Sequence, residues 1–162
     1  MTHIFSGFFQ FGYVTRELDA AIAAYRQRFG AIEFLVNAPD TIDGVAPPTR
    51  RIALAYIDAV MIELIEPDPA QATIYDDALP TRTGDIALHH FGYLIDDHEA
   101  MVGRLQERGY AMPLAGSVPG ALDYIYADTR AHLGHYSEFI RLDEGGRAFF
   151  GAVPRLRTGE QP

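Results

Sequence analysis

HHFGYLIDD at residues 89–97 shares its Phe-Gly-Tyr with QFGYVTREL at residues 10–18. The copies lie 80 positions apart, and Gln10 stands in the first where His90 stands in the second. The flanking sequence repeats in kind. FFQFGYVT is aromatic and β-branched, which predicts a strand, and Leu18, Ala21, Ile22, Tyr25 and Phe29 follow at helical spacing before Gly30 closes the helix. AIEFLV (31–36) predicts a second strand, residues 37–49 a loop, and RIALAYIDAVMIELIEP two strands joined by a tight turn near Asp58. After a polar connector at 67–87, ALHHFGYLI predicts a strand, and Met101, Val102 and Leu105 mark a helix ended by Gly109. YAMPLA, LDYIYAD and HYSEFIRL predict three more strands. Both halves read βαβββ, an α+β pattern with modules at 8–66 and 88–142 inside one domain spanning 8–142. The extension at 143–162 is expected to be partly frayed, because Gly, Pro and charge occur there without periodicity.

Composition narrows the function classes. The chain has 162 residues, 48% of them hydrophobic, enough for one well-buried core. A net charge of −9 argues against a nucleic-acid or anionic-membrane surface, while a local basic patch remains compatible with an anionic small molecule. Cysteine is absent, which rules out disulfides, a thiolate nucleophile and Cys-ligated zinc. No basic segment precedes an apolar run at MTHIFSGFFQ, and no stretch approaches the roughly 18 apolar residues of a membrane span. A soluble cytoplasmic protein is the expectation.

Strand alternation separates chemistry from packing. Phe9, Phe11 and Tyr13 fall on the face expected to cover the helix, leaving Phe8, Gln10, Gly12 and Val14 on the other; the same parity sets His90, Gly92 and Leu94 apart from Phe91 and Tyr93. In MIELIEP, Glu63 shares a face with Met61 and Ile65, and in HYSEFIRL, Glu138 shares one with Tyr136 and Ile140. One carboxylate in an apolar strand is most simply a solvated side chain. Two at matching module positions point further. If the halves pair about a pseudo-twofold axis, Gln10, Glu63, His90 and Glu138 converge, and a divalent metal satisfies two carboxylates that would otherwise repel.

QFGYVTRE followed by LDAAIAAY, IELIEP, HHFGYLIDD and SEFIRL resembles the vicinal oxygen chelate superfamily, which includes glyoxalase I, methylmalonyl-CoA epimerase, extradiol dioxygenases and antibiotic-resistance proteins. The resemblance covers residues 8–142 and implies a curved mixed-sheet cleft. It also implies a metal held at Gln10, Glu63, His90 and Glu138, a set similar to that of glyoxalase I, whereas the wording of IELIEP and HHFGYLIDD is closer to the epimerases. Three oxygen donors and one imidazole suit six-coordinate Zn²⁺, Ni²⁺, Co²⁺, Mn²⁺ or Mg²⁺. The implied chemistry is proton transfer next to a carbonyl by an isomerase, epimerase or lyase, with Glu138 as base and Glu63 as the second acid/base. An Fe(II) ring-cleaving dioxygenase is the alternative enzyme, though the family's second His is absent from the first strand. A binder that sequesters a small molecule without catalysis is the alternative class. The acid that epimerases place before the third strand has no clear counterpart, since only Asp40 and Asp43 lie in that region.

Several neighbouring residues carry two readings. Tyr136 shares parity with Glu138 and is a candidate substrate contact, as are Arg130 and His135 in YADTRAHLGHYSE, beside His132. Tyr56, Tyr124 and Tyr126 either line a pocket or fill a strand face. His89 falls on the face opposite His90 and reads as structural. Arg50 and Arg51 either contact an anion or block a sheet edge. The resemblance further implies a homodimer.

Overall fold

The computed structural model describes residues 3–159. Among the described residues, nine strands alternate with few helices in the order β1 (Phe8–Val14), α1 (Leu18–Phe29), β2 (Leu35–Asn37), β3 (Thr49–Ile57), β4 (Val60–Pro67), β5 (Ala87–Leu94), α2 (His98–Glu107), β6 (Leu114–Val118), β7 (Leu122–Ala127), α3 (Arg130–Leu133), β8 (Tyr136–Leu142), α4 (Glu144–Gly151) and β9 (Arg155–Leu156). The class is α+β, and each half follows the predicted βαβββ order. No described helix is long and apolar enough to cross a membrane. Contacts divide the chain into two compact units, one of residues 3–10 with 90–152 and the other of residues 11–89 with 153–159.

In the first unit the strands run β1, β5, β8, β7, β6, with residues 8–10 of β1 at the start. β5 and β8 are parallel, which sets His90 opposite Tyr136 and Gly92 opposite Glu138. β7 is antiparallel to both β8 and β6. Met101 and Leu105 of α2 bury against Tyr93, Ile125, Ala127 and Phe139, and Ile4 joins them from the N-terminal segment. Each such side chain contributes about 1.5–3 kcal/mol by leaving water. The Asp97 carboxylate caps α2 by accepting the Ala100 N–H at 2.9 Å. β6 begins at Leu114 rather than at Tyr110 as YAMPLA predicted; Pro113 has no N–H to offer a ladder there.

In the second unit the order is β2, β3, β4, β1, all around the apolar side of α1. Leu18, Ala21 and Ile22 pack against Ala53, Ala55, Ile62 and Leu64. Ile32 and Phe34 join this core from outside any strand, because β2 starts only at Leu35. The β3–β4 turn holds Asp58 at φ 53°. α1 begins without a side-chain cap from Glu17. Its first N–H, on Leu18, instead donates to the buried Glu66 carboxylate of β4 at 2.7 Å. Arg51 and Arg50 face the same carboxylate at 2.9 and 3.2 Å. The two arginines therefore serve an internal anion.

Two expectations change. Phe11 and Tyr13 pack on the α1 core as alternation predicts, but Phe9 lies against Phe150 of α4 at 5.8 Å, and Phe8 lies against Phe91 and Tyr93 at 5.7 and 5.9 Å. The strand changes unit between Gln10 and Phe11, so its two ends answer to different cores. The extension expected to fray is ordered over its described part. Its Phe150 and Val153 are buried, and β9 runs parallel to β3 beside Tyr56 and Ile57. Arg155 stacks 4.0 Å over the Tyr56 ring and donates to the Asp58 carbonyl, while Thr158 donates its N–H and hydroxyl to the Asp58 carboxylate at 2.7 and 2.6 Å. Residues 160–162 of that expectation lie outside the described residues.

Candidate metal centre

His90, Glu138 and Gln10 belong to the first unit, and the parallel β5–β8 register decides how they meet. Glu138 stands opposite Gly92, two residues beyond His90 on the same face. From there its Oε2 reaches to 3.2 Å from His90 Nε2. His90 is fully buried, Glu138 is 7% exposed and Gln10 1%. Gln10 lays its side chain over the β5 backbone at Gly92, the residue opposite Glu138.

Glu63 belongs to the second unit. On β4 it stands opposite Leu54 and shares a face with Met61, Ile65 and Tyr56, away from the α1 core that Ile62 and Leu64 enter. It is 9% exposed among apolar neighbours. The solvated-face reading of both glutamates is thereby excluded.

The donors of the first unit, an imidazole nitrogen, a carboxylate and an amide oxygen, suit a hard or borderline divalent ion. Two donors about 2.1 Å from a common ion, at right angles to it, stand about 3 Å apart. The His90–Glu138 separation meets that condition without rearrangement.

Aromatic rings wall the His90 and Glu138 side of the first unit. Tyr126 is buried opposite Glu138 on β7, with its ring edge-on to His90 at 5.1 Å. Tyr136 stands opposite His90 and is buried 6.5 Å from the Tyr126 ring. Burial, and then the Glu138 charge, push the Tyr124 phenol above its ordinary pKa. Its phenol is held neutral, so it remains a donor at physiological pH.

The remaining sequence candidates divide. Arg130 stacks 4.5 Å over the Tyr136 ring and is clamped by both Asp128 oxygens at 2.8 and 2.7 Å, which keeps its cation beside the site's aromatic wall. His135 has other neighbours. Its ring stacks on Phe91 at 4.0 Å and its Nδ1 lies 2.7 Å from the Tyr136 carbonyl, so it sits with the α2-side residues and away from His90. The chain turns through Gly134 at φ 79° just before β8, and His135 enters one position out of phase with Tyr136 and Glu138. His132 meets Tyr110 edge-on at 6.1 Å. His89 is structural, with Nε2 at 3.1 Å from the Ile74 carbonyl and its ring on Tyr75. Sequence reasoning gave no role to Gly92, although its absence of a side chain, in a strand position, was the available signal.

A family model of the Glyoxalase/Bleomycin resistance protein/Dioxygenase superfamily matches residues 9–127. Methylmalonyl-CoA epimerase from Mycobacterium tuberculosis is 20% identical, with a TM-score of 0.59 over 87% of this chain and 91% of that one. A variant of the Streptomyces coelicolor methylmalonyl-CoA epimerase, in complex with 2-nitronate-propionyl-CoA, is 15% identical, with a TM-score of 0.60 over 85% of this chain and 97% of that one. At such identities the likeness shows the fold. A search of the curated proteins found no match. The sequence match runs from within β1 to the end of β7, stopping before β8, and covers most of the chain, which belongs to the glyoxalase/bleomycin resistance protein/dioxygenase superfamily, the vicinal oxygen chelate fold.

Proposed function

We propose that the protein is a divalent-metal-dependent isomerase, epimerase or lyase that moves a proton on the carbon next to a substrate carbonyl. The observation that carries this reading is the buried His90–Glu138 pair at 3.2 Å with Gln10 seated beside it. His90, Glu138 and Gln10 would hold the ion, and Glu63, which also offers a metal-ligating atom, is the proposed fourth ligand. Zn²⁺, Ni²⁺, Co²⁺, Mn²⁺ and Mg²⁺ all suit three oxygen donors and one nitrogen. When bound, such an ion supplies Lewis-acid polarisation of the carbonyl, which acidifies the adjacent C–H.

The chain's own groups do the rest. The Glu138 carboxylate, with Oε2 turned to His90, takes the proton through Oε1, and Glu63 is the proposed second acid/base. Tyr126 and Tyr136 exclude water from the His90 side. Arg130, fixed over Tyr136, offers a cation to an anionic substrate group. Residues 8–142 are proposed to form the functional domain, and two chains to associate as a homodimer.

Acyl-CoA thioesters are the first substrates to test, because structurally similar epimerases bind them. The deciding experiment is metal analysis of the purified protein, followed by a mass-spectrometric screen for solvent deuterium entering the substrate α-carbon. Exchange that disappears with chelator supports the reading. Oxygen consumption with a catechol in place of exchange would move the assignment to ring cleavage, and tight binding without either reaction would move it to sequestration.

A further inference from the structure

We infer that Gly92, the glycine of the second Phe-Gly-Tyr, is a positioning residue that seats the Gln10 amide at the metal centre. The inference rests on the metal reading above and assigns a role to a residue outside the ligand set. Gly7 and Gly109 have φ of 80° and 72°, values that favour glycine for backbone reasons alone. Gly92 has no positive φ and lies inside β5, where any L-residue fits the backbone. Its requirement is therefore one of space.

A Cβ at Gly92 would lie 2.4 Å from Gln10 Oε1, 2.8 Å from its Cβ and 3.2 Å from its Cδ. The first contact is with the atom that would ligate the metal. The second is with an atom fixed to the β1 backbone, so a rotamer change cannot relieve both. Gly92 is also the register partner of Glu138. The missing side chain thus opens the space through which a β1 side chain reaches the level of the β8 carboxylate. By contrast, a Cβ at Gly103 on α2 would meet nothing within 4 Å.

The test uses the full-length protein with Gly92→Ala, Gly103→Ala as a neutral control, and Gln10→Ala to assign the Gln10 side-chain amide in ¹⁵N spectra. In metal-free protein, Gly92→Ala moves the Gln10 amide resonances while Gly103→Ala leaves them in place. Mn²⁺ titration then shows affinity about 10- to 100-fold weaker for Gly92→Ala, the range expected when a ligand loses its support. Unmoved Gln10 resonances in Gly92→Ala would overturn the inference, as would moved resonances with unchanged Mn²⁺ affinity. A wild-type protein that binds no Mn²⁺, Zn²⁺ or Ni²⁺ refutes the metal reading, while the amide spectra still decide the seating. If Gly92→Ala does not fold, combining it with Gln10→Gly removes both contacting groups and restores folding; a double variant as unstable as the single one counts against the proposal.

Discussion

Glu66 gives the sharpest quantitative prediction, because this glutamate near the end of β4 joins a helix start and two arginines. Its carboxylate is almost fully buried and accepts the Leu18 N–H at 2.7 Å and Arg51 at 2.9 Å, with Arg50 at 3.2 Å. Glu66→Ala removes the only cap α1 has at Leu18, worth about 1 kcal/mol. It also leaves Arg51 without its inner partner. Breaking a buried pair on one side costs about 3–5 kcal/mol, but Arg51 keeps Asp19 at 3.0 Å and is 27% exposed, so roughly half of that remains. The expected total is about 2.5–3.5 kcal/mol, or a fall in Tm of roughly 5–14 °C for a chain of this size. Glu66→Gln keeps an acceptor for Leu18 and is expected to lose about half as much. Urea denaturation of wild type and both variants measures the series. A loss below about 0.5 kcal/mol for Glu66→Ala would refute the claim that β4 holds the start of α1 through this carboxylate.

Other perturbations address the site and the tail. Glu138→Gln preserves shape while removing the proton acceptor facing His90, and is expected to lower deuterium exchange about 10²- to 10⁴-fold with the fold intact by circular dichroism; full exchange would remove Glu138 as base. Dialysis against a chelator is expected to abolish exchange and lower Tm, and readdition of Zn²⁺ or Ni²⁺ to restore both; differential scanning fluorimetry reads the second effect directly. Hydrogen bonds from Thr158 hold the Asp58 pKa below its ordinary value. A depressed folded-state pKa adds stability above the unfolded pKa of about 3.9 and loses it as pH falls through the folded value. Asp58→Asn is therefore expected to flatten acid unfolding below about pH 4, and an unchanged acid limb would exclude the contribution. Light scattering at working concentration is expected to give twice the chain mass.

The fold was legible because the repeat carries hydrophobic periodicity as well as letters. Leu18, Ala21 and Ile22 in one half and Met101 and Leu105 in the other face the strands their spacing predicted. Strand parity set His90 and Glu138 apart from the packing residues of their own strands, and the parallel β5–β8 register then places them two residues apart. Parity failed where a strand changes partners, at Phe8 and Phe9, and where a turn resets the phase, at His135. Glu66 and Gly92 were silent for a different reason. What each does depends on atoms far away in sequence, Leu18 N–H for one and the Gln10 side chain for the other, and no local pattern encodes such a contact. The strand in the tail was silent in the sequence because two residues carry no periodicity of their own. β9 is specified by the open edge of β3 rather than by its own letters.

That short strand has a bearing on biosynthesis. The unit that opens at Phe11 is completed by residues 153–159, and Thr158 meets Asp58 across 100 positions of chain. At about 5–20 residues per second, a ribosome needs roughly 5 to 20 seconds to travel from Ile57 to Leu156. Throughout that interval Tyr56 and Ile57 present an uncovered strand edge beside a buried apolar sheet, the kind of template on which nascent chains aggregate. Only when Arg155 and Leu156 have been made can the chain itself close that edge.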